Sequence, residues 1–164
     1  PDVFTSAKAL GGGVPIGAMM ARGKASTTFA PGDHASTYGG NPLACAAGLA
    51  VAEQLSDPAL LQNVRDRGAQ LTAGLEKLQE KYPNVLGEVR GWGLLKGVET
   101  VGGIGAGDLV GLAMKEGLLL VPAGATVVRF VPPLIVTKEE VDEALGMFEK
   151  AIINKVAADS GASP

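Results

Sequence analysis

From residue 84 to residue 156 the apolar residues switch repeatedly between the two-residue period of a strand and the 3.6-residue period of a helix. Neither an all-helical nor an all-strand fold accommodates both periods. Val85 to Val89 and Leu94 to Glu99 read as strands around the Gly91-Trp92-Gly93 turn, and Asp108 to Glu116 reads as a short helix closed by Gly117. Leu118 to Val121 and Val127 to Val131 read as further strands. Thr137 and Glu140 have the spacing of a capping box, after which Val141, Ala144, Leu145, Phe148 and Ile152 mark one face of a last helix. Residues 84–156 are therefore expected to form a small α/β domain, and the polar tail, 157–164, to be disordered.

Upstream, Asp57-Pro58 places a capping residue before a proline, and Leu60, Val64, Leu71, Leu75 and Leu78 then recur at helical spacing until Pro83. This predicts a connecting helix over 57–83. Residues 1–56 have a different character: Val3-Phe4-Thr5 suggests a short strand, and Gly11-Gly12-Gly13 demands unusual backbone angles or close approach by another group. Val14 to Ala21 reads as a buried strand with Pro15 at its start. The loop from Arg22 to Gly40 has neither period, and Asn41-Pro42 opens a helix that is small or apolar on every side to Leu55. Such a helix is expected to be buried, and Cys45 upon it to be a small buried residue with Trp92 serving packing and its turn.

Charge and composition exclude several classes. The chain carries 14 basic and 17 acidic residues, net charge −3, intermixed along its length, which leaves no basic stripe for a nucleic-acid backbone. No apolar run is long enough to span a bilayer, and the first residues lack a charged-then-apolar signal. A single cysteine and a single histidine argue against a disulfide framework and a zinc site. Gly102 to Gly107 follows a strand and precedes a helix but lacks a full dinucleotide-binding pattern, and reads as a flexible connection.

Three places could carry chemistry. Lys8 has small or apolar sequence neighbours; a lysine drawn into a dry site loses its proton more readily and becomes a nucleophile toward a carbonyl, whereas a lysine on an open turn is an ordinary solvated group. Ser36 and Thr37 precede the helix that starts at Asn41, where hydroxyls and free backbone N–H groups suit an anion or simply a capping loop. Arg129 interrupts an apolar strand, so its guanidinium needs an anionic partner or a route to water. His34, alone in a polar loop, reads as a structural hydrogen-bonder.

The segment Thr-Ser-Ala-Lys-Ala-Leu-Gly-Gly-Gly-Val-Pro-Ile-Gly-Ala, residues 5–18, resembles the Schiff-base lysine segment of class III, ornithine-type aminotransferases, enzymes dependent on pyridoxal 5'-phosphate (PLP). The resemblance continues through Gly32-Asp-His-Ala-Ser-Thr-Tyr-Gly-Gly-Asn-Pro-Leu-Ala44, Arg90-Gly-Trp-Gly-Leu-Leu95 and Val128-Arg-Phe-Val-Pro-Pro-Leu134. It implies a fragment of a PLP-dependent transferase of fold type I, with 1–56 the end of the large cofactor-binding domain and 84–156 the small C-terminal domain. It further implies Lys8 as the catalytic lysine, Thr37 with Ser36 on the cofactor phosphate across a homodimer interface, and Arg129 at the active site, near the substrate carboxylate or paired with a glutamate that gates it. The implied reaction moves an amino group from a terminal amine such as N-acetylornithine to 2-oxoglutarate, as in arginine biosynthesis. Ornithine or 4-aminobutyrate as donor, an aminomutase acting on glutamate semialdehyde, or a non-catalytic dimerisation piece are the alternatives. Either a bacterial cytoplasm or an organelle matrix suits these residues. The family's phosphate loop, ring-stacking aromatic, pyridine-nitrogen aspartate and second arginine fall in an earlier half that this chain does not contain.

Overall fold

The leucines at helical spacing after Pro58 form one side of the main core. In the computed structural model, which describes residues 1–161, α2 runs from Pro58 to Lys81 and buries Leu71, Leu75 and Leu78. It belongs to the second of two compact units, Pro1–Pro58 and Ala59–Pro164. That unit contains β3 (Leu86–Trp92), β4 (Leu95–Thr100), α3 (Ala106–Lys115), β5 (Val121–Pro122), β6 (Val127–Phe130) and α4 (Lys138–Asp159). The sheet order is β3-β4-β6-β5, antiparallel at every pairing.

Strand alternation sorts side chains to two faces. Val98, Val128 and Phe130 face the helices and join Leu75, Leu109, Phe148 and Ile152 in one continuous core. Phe130 and Phe148 meet edge to face with centroids 5.1 Å apart, a favourable arrangement of the ring quadrupoles. The opposite face carries Arg90, Gly97, Glu99, Val127 and Arg129, none of which joins the core shared with the helices among the described residues.

In this unit two differences from the sequence reading go beyond a shifted boundary. The strand expected over 118–121 shrinks to Val121–Pro122, because the Leu118 N–H closes the end of α3 by donating to Ala113 O and Gly117 takes a left-handed turn at φ 90°. The last helix extends into the tail expected to be disordered, reaching Asp159, and the Lys155–Asp159 pair at 2.8 Å ties its final turn. Residues 162–164 of that tail lie outside the described residues. The Thr137–Glu140 capping box forms in both directions.

In the first unit β1 (Val3–Ser6) and β2 (Ala18–Ala21) make an antiparallel pair, Val3 opposite Ala21 and Ser6 opposite Ala18. The strand expected over 14–21 begins only at Ala18. Pro15 has no N–H to contribute to a ladder, and Ile16 instead packs so closely over Gly11 that a Cβ there would lie 2.8 Å from its Cγ2. Helix α1 (Pro42–Leu55) starts as expected, with the Asn41 side chain accepting from Ala44 N–H and Pro42 in the first turn. It is not buried, contrary to expectation: only Ala44 and Gly48 are covered, Leu43 and Leu49 are 74% and 61% exposed, and Cys45 is exposed. An apolar helix needs partners on all sides, and these residues supply one.

Candidate active site

Lys8 opens a one-turn 3-10 helix, Lys8–Gly11, between β1 and the glycine run. Its φ is 57°, and it is the only described residue other than glycine with a positive φ. A side chain in the left-handed region costs about 1–2 kcal/mol, and such strain clusters where function requires it. Gly12 and Gly13, at φ 60° and 113°, continue the turn, which explains why a run of residues without Cβ follows the lysine. Lys8 is exposed, so the dry surroundings expected of a nucleophilic lysine are not furnished by this chain's residues.

Ser36 and Thr37 lie in an exposed loop whose hydrogen bonds are local. Ser36 Oγ accepts from Gly39 N–H at 2.9 Å, the Asn41 side chain donates to Tyr38 O, and Asp33 accepts from Ala30 N–H at 2.7 Å. Ser36 keeps its own O–H free to donate. A cavity of about 820 Å³ separates this loop and the start of α1 from the 14–17 segment; Ile16, His34, Ser36, Tyr38 and Asn41 line it, and Lys8 and Thr37 do not. His34 stacks against Phe29 with centroids 6.3 Å apart, a packing role.

Arg129 sits on β6 in the second unit, on the sheet face away from the helices, opposite Gly97 and Val121. Its Nε is buried without a hydrogen-bond partner, and no ion pair involves it among the described residues. Of the two expectations, an anionic partner or a route to water, the described residues supply no anion, and the residue is half-buried with only its Nε orphaned. It lines a cavity of about 220 Å³ with Arg90, Gly91, Trp92, Lys96, Gly97 and others.

Two of those neighbours escaped the sequence reading. Lys96 is 9% exposed and donates to Gly91 O at 3.1 Å; strand alternation placed it on the core face, but only the hairpin geometry supplies a carbonyl at that spot. Arg90 pairs with Glu88 at 2.8 Å and lies 3.9 Å from Glu99; its opposition to Gly97 follows from the register, which sequence alone leaves open. Trp92, expected to pack, is 93% exposed at the tip of the β3–β4 hairpin, flanked by Gly91 and Gly93 at φ 131° and 51°. The turn role holds and the packing role does not. Among the described residues no group of three or more His, Cys, Asp or Glu could hold a metal ion, and no helix is long and apolar enough to cross a membrane.

The chain is similar to known proteins along most of its length. The aminotransferase class-III family matches residues 1–152. Acetylornithine aminotransferase from Nostoc sp. is 57% identical over 159 residues, 96% of this chain and 37% of its own length. The N-acetylornithine aminotransferase of Stenotrophomonas maltophilia superposes with a TM-score of 0.85 at 39% identity, covering 96% of this chain and 41% of that one. The ornithine aminotransferase of Toxoplasma gondii, with partial occupancy of PLP at its active site, gives 0.84 at 38% identity over 94% of this chain and 37% of that one. The chain therefore spans about two fifths of the length of the proteins it matches. The glycine-braced lysine, the hydroxyl loop and the strand arginine are arranged on the C-terminal portion of an aminotransferase fold, and the chain belongs to the class-III aminotransferase family.

Proposed function

We propose that this chain is the C-terminal part of a PLP-dependent aminotransferase that moves an amino group from a terminal amine, N-acetylornithine by preference, to 2-oxoglutarate. Lys8 is its catalytic lysine. The observation that carries the reading is the Lys8 backbone: a lysine held at φ 57° beside two left-handed glycines, with its side chain exposed, is a strained placement of the kind that clusters at functional sites. The name shared by the most similar relatives supports the donor.

The residues fit the cofactor's chemistry. Lys8 Nζ offers an amine for an aldehyde, Ser36 and Thr37 offer hydroxyl donors for a phosphate, and Arg129, whose Nε has no hydrogen-bond partner among the described residues, offers a planar fork for a substrate carboxylate. When bound, PLP supplies an electron sink for the carbon that loses its proton. Lys8 Nζ would hold the cofactor and then, as the neutral amine, take the proton from the substrate carbon and return it. Arg129 would hold and orient the substrate carboxylate. The protein works as a homodimer in which the Ser36–Thr37 loop serves the partner's cofactor, and the bare apolar side of α1 is the kind of surface that further protein covers. A cytoplasm or an organelle matrix suits it.

Borohydride reduction of the full-length, PLP-loaded protein followed by peptide mapping should leave a pyridoxyl label on Lys8, and none in Lys8→Ala. A label on a different side chain overturns the proposal.

A further inference from the structure

The turn that joins β3 to β4 has glycines on either side of Trp92, Gly91 at φ 131° and Gly93 at φ 51°, and such a chain has little stiffness of its own. Three contacts from within the second unit hold it. Leu94, next in the turn, is 4% exposed and belongs to the core. The Gly93 backbone lies against α2 at Gly68, where a Cβ would run into the Gly93 carbonyl oxygen and lie 2.9 Å from its carbon. On the same helix face one turn earlier, Val64 Cγ1 would lie 3.2 Å from a Cβ on Gly93.

The third contact is Lys96. Strand alternation turns it to the core face with Val98, where it is 9% exposed and its ammonium donates to Gly91 O at 3.1 Å. A charge in that place is costly for a core, and a methionine would fill similar space without one. What the lysine provides, and methionine cannot, is a donor that captures the carbonyl of a turn glycine. Arg90, Gly91 and Trp92 form one wall of the 220 Å³ cavity that Arg129 also lines. A turn held at Gly91, Gly93 and Leu94 therefore holds that wall.

We infer that Gly68 and Lys96 are positioning residues: one from the helix and one from the strand, they fix the turn and with it the cavity wall beside Arg129. The inference rests on the reading of Arg129 as a residue that holds the substrate carboxylate. Gly68 acts by having no side chain, and Lys96 acts through the Gly91 carbonyl to which its ammonium is committed.

The full-length, PLP-loaded protein tests it through two readouts: hydrogen exchange in peptides covering 90–96, followed by mass spectrometry, and the KM for 2-oxoglutarate against kcat. Gly68→Ala meets backbone that cannot swing aside, so exchange in 90–96 should quicken and KM rise roughly tenfold, with kcat changed far less. Gly74→Ala is the control in the same helix. Its Cβ would meet only the end of the Leu145 side chain, which can rotate away, and both readouts should stay at their wild-type values. Lys96→Met adds no bulk and removes a buried charge. It should quicken exchange in 90–96 and raise KM while the melting temperature holds or rises, a combination that a purely structural lysine does not give. If Gly68→Ala does not fold, Lys96→Met decides alone. The inference is overturned if Lys96→Met or a folded Gly68→Ala leaves either readout at wild type, or if Gly74→Ala matches Gly68→Ala. Arg129→Gln separates the underlying reading: it should raise KM at least as much. A KM that Arg129→Gln leaves unchanged overturns the carboxylate reading and the use assigned to the turn with it. A KM raised in Arg129→Gln but unmoved in Lys96→Met overturns the inference and leaves that reading standing.

Discussion

At the scale of single residues, the backbone of Lys8 is the feature that ordinary folding does not explain. Alanine normally outranks glycine in a short helical turn, but at φ 57° alanine keeps the left-handed strain and glycine removes it. Lys8→Gly should therefore be more stable than Lys8→Ala by about 1 kcal/mol, the reverse of the usual order, as read by denaturant unfolding of the full-length protein. Equal stabilities, or alanine ahead, would remove the argument that position 8 is held under strain. Gly91 shows the opposite case, in which the constraint is plainly structural. At φ 131° a Cβ there would run into the Leu95 carbonyl and lie 3.0 Å from Lys96 Cα, so the hairpin that aims Arg90 depends on that glycine.

At the scale of elements, α2 and α4 are joined at their rim by a polar cluster. Glu149 accepts from Lys81 Nζ at 2.6 Å and from the Tyr82 hydroxyl at 3.1 Å. The Lys81 hydrogen bond, aided by Tyr82 and by the ammonium charge and opposed by burial, holds the Glu149 carboxyl below its ordinary value of 4.5. The same bond with Glu149 raises the Lys81 ammonium above 10.5. A depressed carboxyl contributes stability that is present above its unfolded value and lost as pH falls through the folded one. A raised ammonium contributes stability that is present below its unfolded value and lost as pH rises through the folded one. The gap in melting temperature between wild type and Glu149→Gln should thus be widest between about pH 5 and pH 9, and close toward both extremes. A gap that persists unchanged into strong acid would show that the ion pair is not its source. The contribution is modest, since Lys81 is largely exposed and exposed pairs are weak.

At the scale of the whole chain, the buried apolar cluster lies entirely between Leu71 and Ile152, within the second unit. The first unit buries little beyond Gly11, Ala44 and Gly48. Cooperative stability follows buried apolar area, so the unit that carries Lys8 is the weaker of the two when the chain stands alone. The cavity beside the Ser36 loop is open, Lys8 is exposed, and the chain spans 37% of its Nostoc relative. The isolated 164-residue chain should accordingly bind PLP weakly and transaminate negligibly, as measured by cofactor absorbance against a Lys8→Ala control. A strong lysine-dependent band with turnover would refute this.

What the sequence determined by itself was whatever depends on near neighbours along the chain. The Thr137–Glu140 cap, the Asn41-Pro42 helix start, the leucine face of α2 and the Gly91–Gly93 turn all formed as read, because capping, helical periodicity and positive-φ turns act over a few residues. The family was legible for a related reason: the lysine with its glycine run, the hydroxyl loop and the strand arginine are contiguous strings. Tertiary structure alone decided the rest. It delayed the start of β2 to Ala18, because Ile16 was taken up by packing over Gly11, and drew the Leu118 amide into the close of α3. It left α1, Cys45 and Trp92 exposed, since apolar composition states that partners are needed without stating that they are present. It also put Arg90, Gly97, Glu99 and Arg129 on one face. That arrangement follows from strand register, and register is a choice among pairings of distant segments that no local pattern makes.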